Sequence, residues 1–93
     1  MFHHNDPWPI SIASAIQKTG LKLKKMKVFA LLRNTGALDD DNMPDSGLIE
    51  NGFLTYDFEQ YRKHRSAYIP RIASPKGLEW FENLMRVNLD KVS

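Results

Sequence analysis

Two Thr-Gly steps, Thr19-Gly20 and Thr35-Gly36, constrain this chain more than any other feature. Each follows a short stretch whose apolar residues recur at helical spacing, and glycine accepts the left-handed backbone on which a helix often stops. In the first stretch Ile12, Ala15 and Ile16 share a face and Ser11 is a ready N-cap, so a helix is expected over 11–18. In the second, expected over 25–34, Val28, Phe29 and Leu32 lie on one side with Leu31 at the edge. Between them Leu21-Lys22-Leu23-Lys24 alternates as a short extended piece does. Two short helices with a tight connection make a helix-turn-helix.

The rest of the chain changes character. Residues 39–47 collect Asp, Asn, Pro and Gly and read as a loop, after which 48–53 turns into a strand. Phe53, Leu54, Tyr56 and Phe58 give the aromatic-rich, roughly alternating pattern of a strand, and 68–73 supplies a second one, with Pro70 pointing to an edge position. Residues 60–66 form the polar tip between them. Ser74-Pro75 has the cap and first-turn chemistry of a final helix, lined by Leu78, Phe81, Leu84 and Met85. The expected fold is therefore α+β: a winged helix-turn-helix of two N-terminal helices, a β-hairpin wing and a C-terminal helix. It forms a single domain over 1–93, with 1–9 an extended arm. Any helix between the second one and the wing must be very short.

Composition narrows the function. With 93 residues there is room for one modest core. The absence of cysteine excludes disulfides, thiolate metal sites and a cysteine nucleophile, and fits a cytoplasmic location. No apolar run approaches the ~20 residues that span a bilayer, so no membrane is expected. His3, His4 and His64 show no metal-ligand spacing, the serines lack a triad context, and there is no glycine-rich phosphate loop. An enzyme, a cofactor and a small-molecule substrate are accordingly not expected.

The net charge is only +2, yet it is unevenly distributed. Lys22, Lys24, Lys25 and Lys27 gather before and within the first turn of the second helix, where they can meet phosphates or an acidic protein surface. Left to themselves, cations are slightly unfavourable at a helix N-terminus, which argues for a role. Arg62, Lys63 and Arg65 form a second basic group at the wing tip. Between them lies the acidic run Asp39-Asp40-Asp41 with Asp45, whose spacing fits no calcium loop and which reads as a solvated turn. Among the aromatics, Phe53 and Phe58 are expected in the core, and Tyr61 and Tyr68 at the surface as interface anchors. Trp80 and Phe81 are neighbours on one helix, so only one can point fully inward; the other, assigned as Trp80, is a further candidate anchor, suited to a homodimer.

Four collinear pieces also resemble the C-terminal domain of KilA-type phage antirepressors. They are Gly20-Leu21-Lys22-Leu23-Lys24-Lys25; Val28-Phe29-Ala30-Leu31-Leu32-Arg33-Asn34-Thr35-Gly36-Ala37-Leu38; Asn42-Met43-Pro44 followed by Glu50-Asn51-Gly52-Phe53-Leu54; and Ser74-Pro75-Lys76-Gly77-Leu78-Glu79-Trp80-Phe81. The similarity spans residues 10–85. The chain departs from the family's pattern after Pro44, where it is acidic instead of polar or basic. The resemblance implies a phage or prophage regulator that inactivates a transcriptional repressor by binding it. Contact with double-stranded DNA by such a domain is the alternative.

Overall fold

The computed structural model describes residues 7–57 and 69–93. In chain order these form β1 (Ile10–Ser11), α1 (Ile12–Thr19), α2 (Lys25–Asn34), α3 (Ser46–Glu50), β2 (Leu54–Tyr56), β3 (Pro70–Ile72), α4 (Pro75–Val87) and α5 (Leu89–Val92). The class is α+β, with a three-stranded antiparallel sheet in the order β1-β3-β2. One side of the sheet meets α1 and α4, and the core runs from Ile10, Leu54 and Ile72 through Ile12 and Ala15 to Val28, Leu31, Leu32, Phe81 and Met85.

The helix ends follow from local chemistry. Ser11 Oγ accepts the Ser14 amide at 3.0 Å and starts α1, and Gly20, at φ +71°, closes it. The following Leu21 and Leu23 pack against the core while Lys22 and Lys24 stay exposed, which is the alternation read from the sequence. Ser74 Oγ accepts the Gly77 amide at 3.1 Å and donates to the Gly52 carbonyl at 2.6 Å. One hydroxyl thus caps α4 and ties it to the turn before β2. Ser74→Ala removes both bonds and is expected to cost about 1–2 kcal/mol, seen as a lower urea midpoint at unchanged slope.

Four expectations are corrected. Residues 46–50 form the very short helix that the layout leaves room for, where 46–47 was expected as loop and 48–50 as the lead into a strand: Asp45 Oδ2 accepts the Gly47 and Leu48 amides at 3.0 and 3.3 Å, an N-cap that starts α3. The arm before α1 ends in a strand, β1, which pairs Ile10 with Ile72 and Ser11 with Arg71. Pro70 belongs to the central strand instead of an edge. Asp57 N–H donates to the Ile69 carbonyl at 2.9 Å, so the Tyr56–Pro70 pair turns its nitrogens away from β2. The proline ring faces the side beyond the end of β1, where no ladder bond is due. Finally, Leu31 is buried and Phe29 is only half-buried, the reverse of the expected arrangement on α2.

α5 turns back onto the start of α2. Val92 is fully buried, and its carbonyl accepts the Lys24 amide at 2.7 Å. No helix among the described residues is long and apolar enough to cross a membrane.

Candidate functional site

α2 buries Val28, Leu31 and Leu32, so its opposite face is turned outward by the 3.6-residue period. That face carries Lys25, Met26, Phe29 and Arg33, which with Asn42 line an open groove of about 440 Å³. Lys25, Phe29 and Arg33 follow at i, i+4 and i+8, a single stripe along the helix. Met26 is 85% exposed, the most exposed large apolar residue among those described. Phe29 beside it is half-buried, so the stripe has an apolar middle with a cation at each end.

The far end of the groove is held in place. Asn42, in the left-handed backbone region at φ +66°, accepts Arg33 Nη1 on its Oδ1 at 2.9 Å. The loop that presents Asn42 is itself ordered by an acidic side chain: Asp39 Oδ1 accepts the amides of Asp41 and Met43 at 2.8 and 2.9 Å. Leu38 and Pro44 bridge across its base. Two of the four acidic residues singled out in the sequence, Asp39 and Asp45, are thus occupied with their own backbone. No group of side chains that could hold a metal ion occurs among the described residues.

The lysines expected to mark a binding surface fall into two sets. Lys22, Lys24 and Lys25 are exposed around the entry to α2. Lys27 is exposed too, but its Nζ donates to the Ser93 carbonyl at 3.1 Å. The Lys24 amide, at the cap position of α2, donates to the Val92 carbonyl. α2 has no side-chain cap and no acidic residue in its first turn, so this carbonyl satisfies one of the amides at its positive end.

On α4, Phe81 is the inward member of its aromatic pair, fully buried. Trp80 is half-buried and stacks on Phe53, with ring centroids 5.8 Å apart and planes within 5°. Lys76 Nζ lies 5.2 Å from the centre of the Phe53 ring. Phe53 is therefore a half-buried partner of Trp80 instead of a fully enclosed core residue. A second groove, of about 370 Å³, runs from Thr35 and Ala37 past Asp45 and Leu48 to Trp80 and Leu84. Val87, one turn along the same flank of α4, is 78% exposed.

Tyr61, Arg62, Lys63, Arg65 and Tyr68, together with Phe58, His3, His4 and His64, lie outside the described residues. The structure thus brings Lys25 together with Met26, Phe29 and Arg33, and sets Trp80 apart from them on α4. Sequence reasoning missed Met26 and the exposure of Phe29. The available signal was the apolar arc of α2, which is wider than one buried face requires. Set against protein-family models, curated proteins and solved structures, the chain matches none.

Proposed function

We propose that this chain is a winged-helix module that acts by binding a protein, and that its partner is a transcriptional repressor inactivated by the contact, in the cytoplasm of a bacterial host. The sheet order β1-β3-β2, with α1, α2 and the short α3 between β1 and β2 and the β2–β3 pair after them, supports the winged-helix reading. In that layout α2, the second helix of the α1–α2 pair, is the candidate recognition helix, and α3 stands between it and the hairpin. The resemblance to KilA-type antirepressors supplies the kind of partner.

The observation that carries a protein partner is the outward face of α2. Met26 and Phe29 form an apolar centre between Lys25 and Arg33, the anatomy of a protein interface, in which an apolar core is ringed by polar groups. A duplex asks for something else: donors aimed at phosphates and base edges, with the helix's amino end in the groove. Here the Lys24 amide at that end is taken by the Val92 carbonyl, and Met26 in the first turn presents an exposed apolar side chain. The DNA reading keeps one observation in its favour, the exposed Lys22, Lys24 and Lys25 beside α2.

The test is retention of a host repressor on the immobilised chain after nuclease treatment, comparing wild type with Met26→Asp. Met26 is so exposed that its replacement leaves the core intact. Retention at least tenfold weaker on the variant is the expected result. Equal retention on both removes the α2 face from the interface. Release of everything by nuclease, with a salt-steep shift of duplex DNA that Lys24→Ala and Lys25→Ala flatten, replaces the protein reading by the DNA one.

A further inference from the structure

We infer that the α2 groove takes an acidic, apolar-anchored segment of the partner, and therefore that the partner docks through a surface other than the one with which it reads DNA. This deepens the protein-binding reading above and rests on it. The charged residues lining the groove are Lys25 and Arg33, both cationic, and no carboxylate lines it among the described residues. Lys22 and Lys24 add to the same sign around the entry to α2. Among the described residues the apolar lining is Met26 and Phe29. Charge complementarity then specifies the occupant: large apolar side chains over Met26 and Phe29, with Asp or Glu reaching the two cationic ends.

The geometry favours a carboxylate at the Arg33 end in particular. The Asn42 side chain holds one edge of the guanidinium at 2.9 Å, which orients the group before anything binds. A guanidinium has five N–H donors in a planar fork, so an oriented one retains donors for a carboxylate and has lost less freedom to gain. Methionine at the centre suits such a site, because its unbranched, polarisable side chain adapts to different apolar shapes.

The sign of this groove decides how antirepression works. A DNA-reading surface neutralises phosphates with lysine and arginine. Set against Lys25 and Arg33, it places like charges in contact, which selects against that pairing. The acidic loop is a separate surface: Asp39, Asp40, Asp41 and Asp45 are exposed and none of them lines the groove. The groove itself thus takes an acidic face of the partner and leaves the operator-reading face uncovered.

The experiment is an amide-shift titration of the whole chain with three probes. They are a helical peptide with leucines at i, i+4 and i+7 flanked by glutamates, the same peptide with lysine in place of each glutamate, and a short duplex DNA. The expected result is saturable shifts at Lys25, Met26, Phe29, Arg33 and Asn42 with the acidic peptide alone, weakened at least tenfold in Lys25→Glu. Equal binding of the lysine peptide, or no binding of the acidic one, overturns the inference. Saturable shifts of the same amides with the duplex at moderate salt overturn it in favour of nucleic acid. If the acidic peptide fails while repressor capture still depends on Met26, only this inference falls; if capture is also unaffected by Met26→Asp, the protein-binding role of α2 falls with it.

Discussion

Phe81→Ala is expected to remove a substantial share of the chain's stability and to lower its thermal midpoint sharply. Phe81 is fully buried and heads the largest enclosed side chains, on the face of α4 that meets α1 and β3. Truncating a buried phenylalanine costs about 3–5 kcal/mol, the lost transfer energy plus that of the cavity left behind. A domain of this length has a total stability of roughly 5–14 kcal/mol at ~0.05–0.15 kcal/mol per residue. The loss therefore takes about a fifth or more of what holds the fold together, and the thermal midpoint should drop by about 12 °C or more. Trp80→Ala is the control. Trp80 is the larger side chain, but it is half-buried and one of its faces is covered by the Phe53 ring, so its removal should cost distinctly less. Thermal unfolding of the two variants side by side checks this, and a loss for Trp80→Ala equal to that for Phe81→Ala would show that α4 is docked by its outer flank.

The same pair of neighbours illustrates how far the sequence can be read. Helices α1 and α2 were legible almost to the residue and α4 at its start, where the chain carries chemistry of its own: the Ser11 cap, the Gly20 and Gly36 stops, and the Ser74-Pro75 start. β1 was not legible. It is two residues long and exists only because Ile72 and Arg71 lie opposite, a tertiary pairing with no local signature. α3 was hidden for another reason. Five residues are too few to show a period, and Asp45, Ser46 and Gly47 are turn formers as well as helix starters. The central place of Pro70 depends on which of its sides β1 reaches, which no propensity reports.

The candidate site was half legible in the same sense. A lysine-rich entry to α2 is plain in the sequence, but the groove is not. Val28 and Leu32 sit mid-face on α2, with Phe29 and Leu31 on opposite flanks, and periodicity alone cannot choose the covered flank. Packing covered Leu31. That choice leaves Phe29 beside Met26 and converts a solvated basic stretch into a groove with an apolar centre. The bonding of the Lys24 amide to Val92 and of the Lys27 ammonium to Ser93 is likewise a long-range result with no local signature.

Gly77→Ala should destabilise the fold strongly, although glycine to alanine within a helix ordinarily stabilises by about 1 kcal/mol. Gly77 is buried in the first turn of α4, against the backbone of Phe53 at the start of β2. A Cβ built there meets the Phe53 carbonyl oxygen well inside contact distance, with the carbonyl carbon at 2.9 Å and Cα at 3.0 Å. Those atoms cannot swing aside as a side-chain tip does, because the Phe53 carbonyl also accepts the Ala73 amide at 3.0 Å and so belongs to the sheet. Ser74 pins the same two segments together through the Gly52 carbonyl. The methyl must therefore push α4 away from β2 or break the end of the β2–β3 ladder. Overpacking of this kind costs about 1–3 kcal/mol and more where backbone must move, which the normal helix gain only partly offsets. Glycine at position 77 thus has a physical cause in the close approach of helix to strand, independent of any partner. Chemical denaturation of Gly77→Ala decides the matter: a lower midpoint is expected, and a midpoint equal to or above that of wild type would mean that α4 does not sit this close to Phe53.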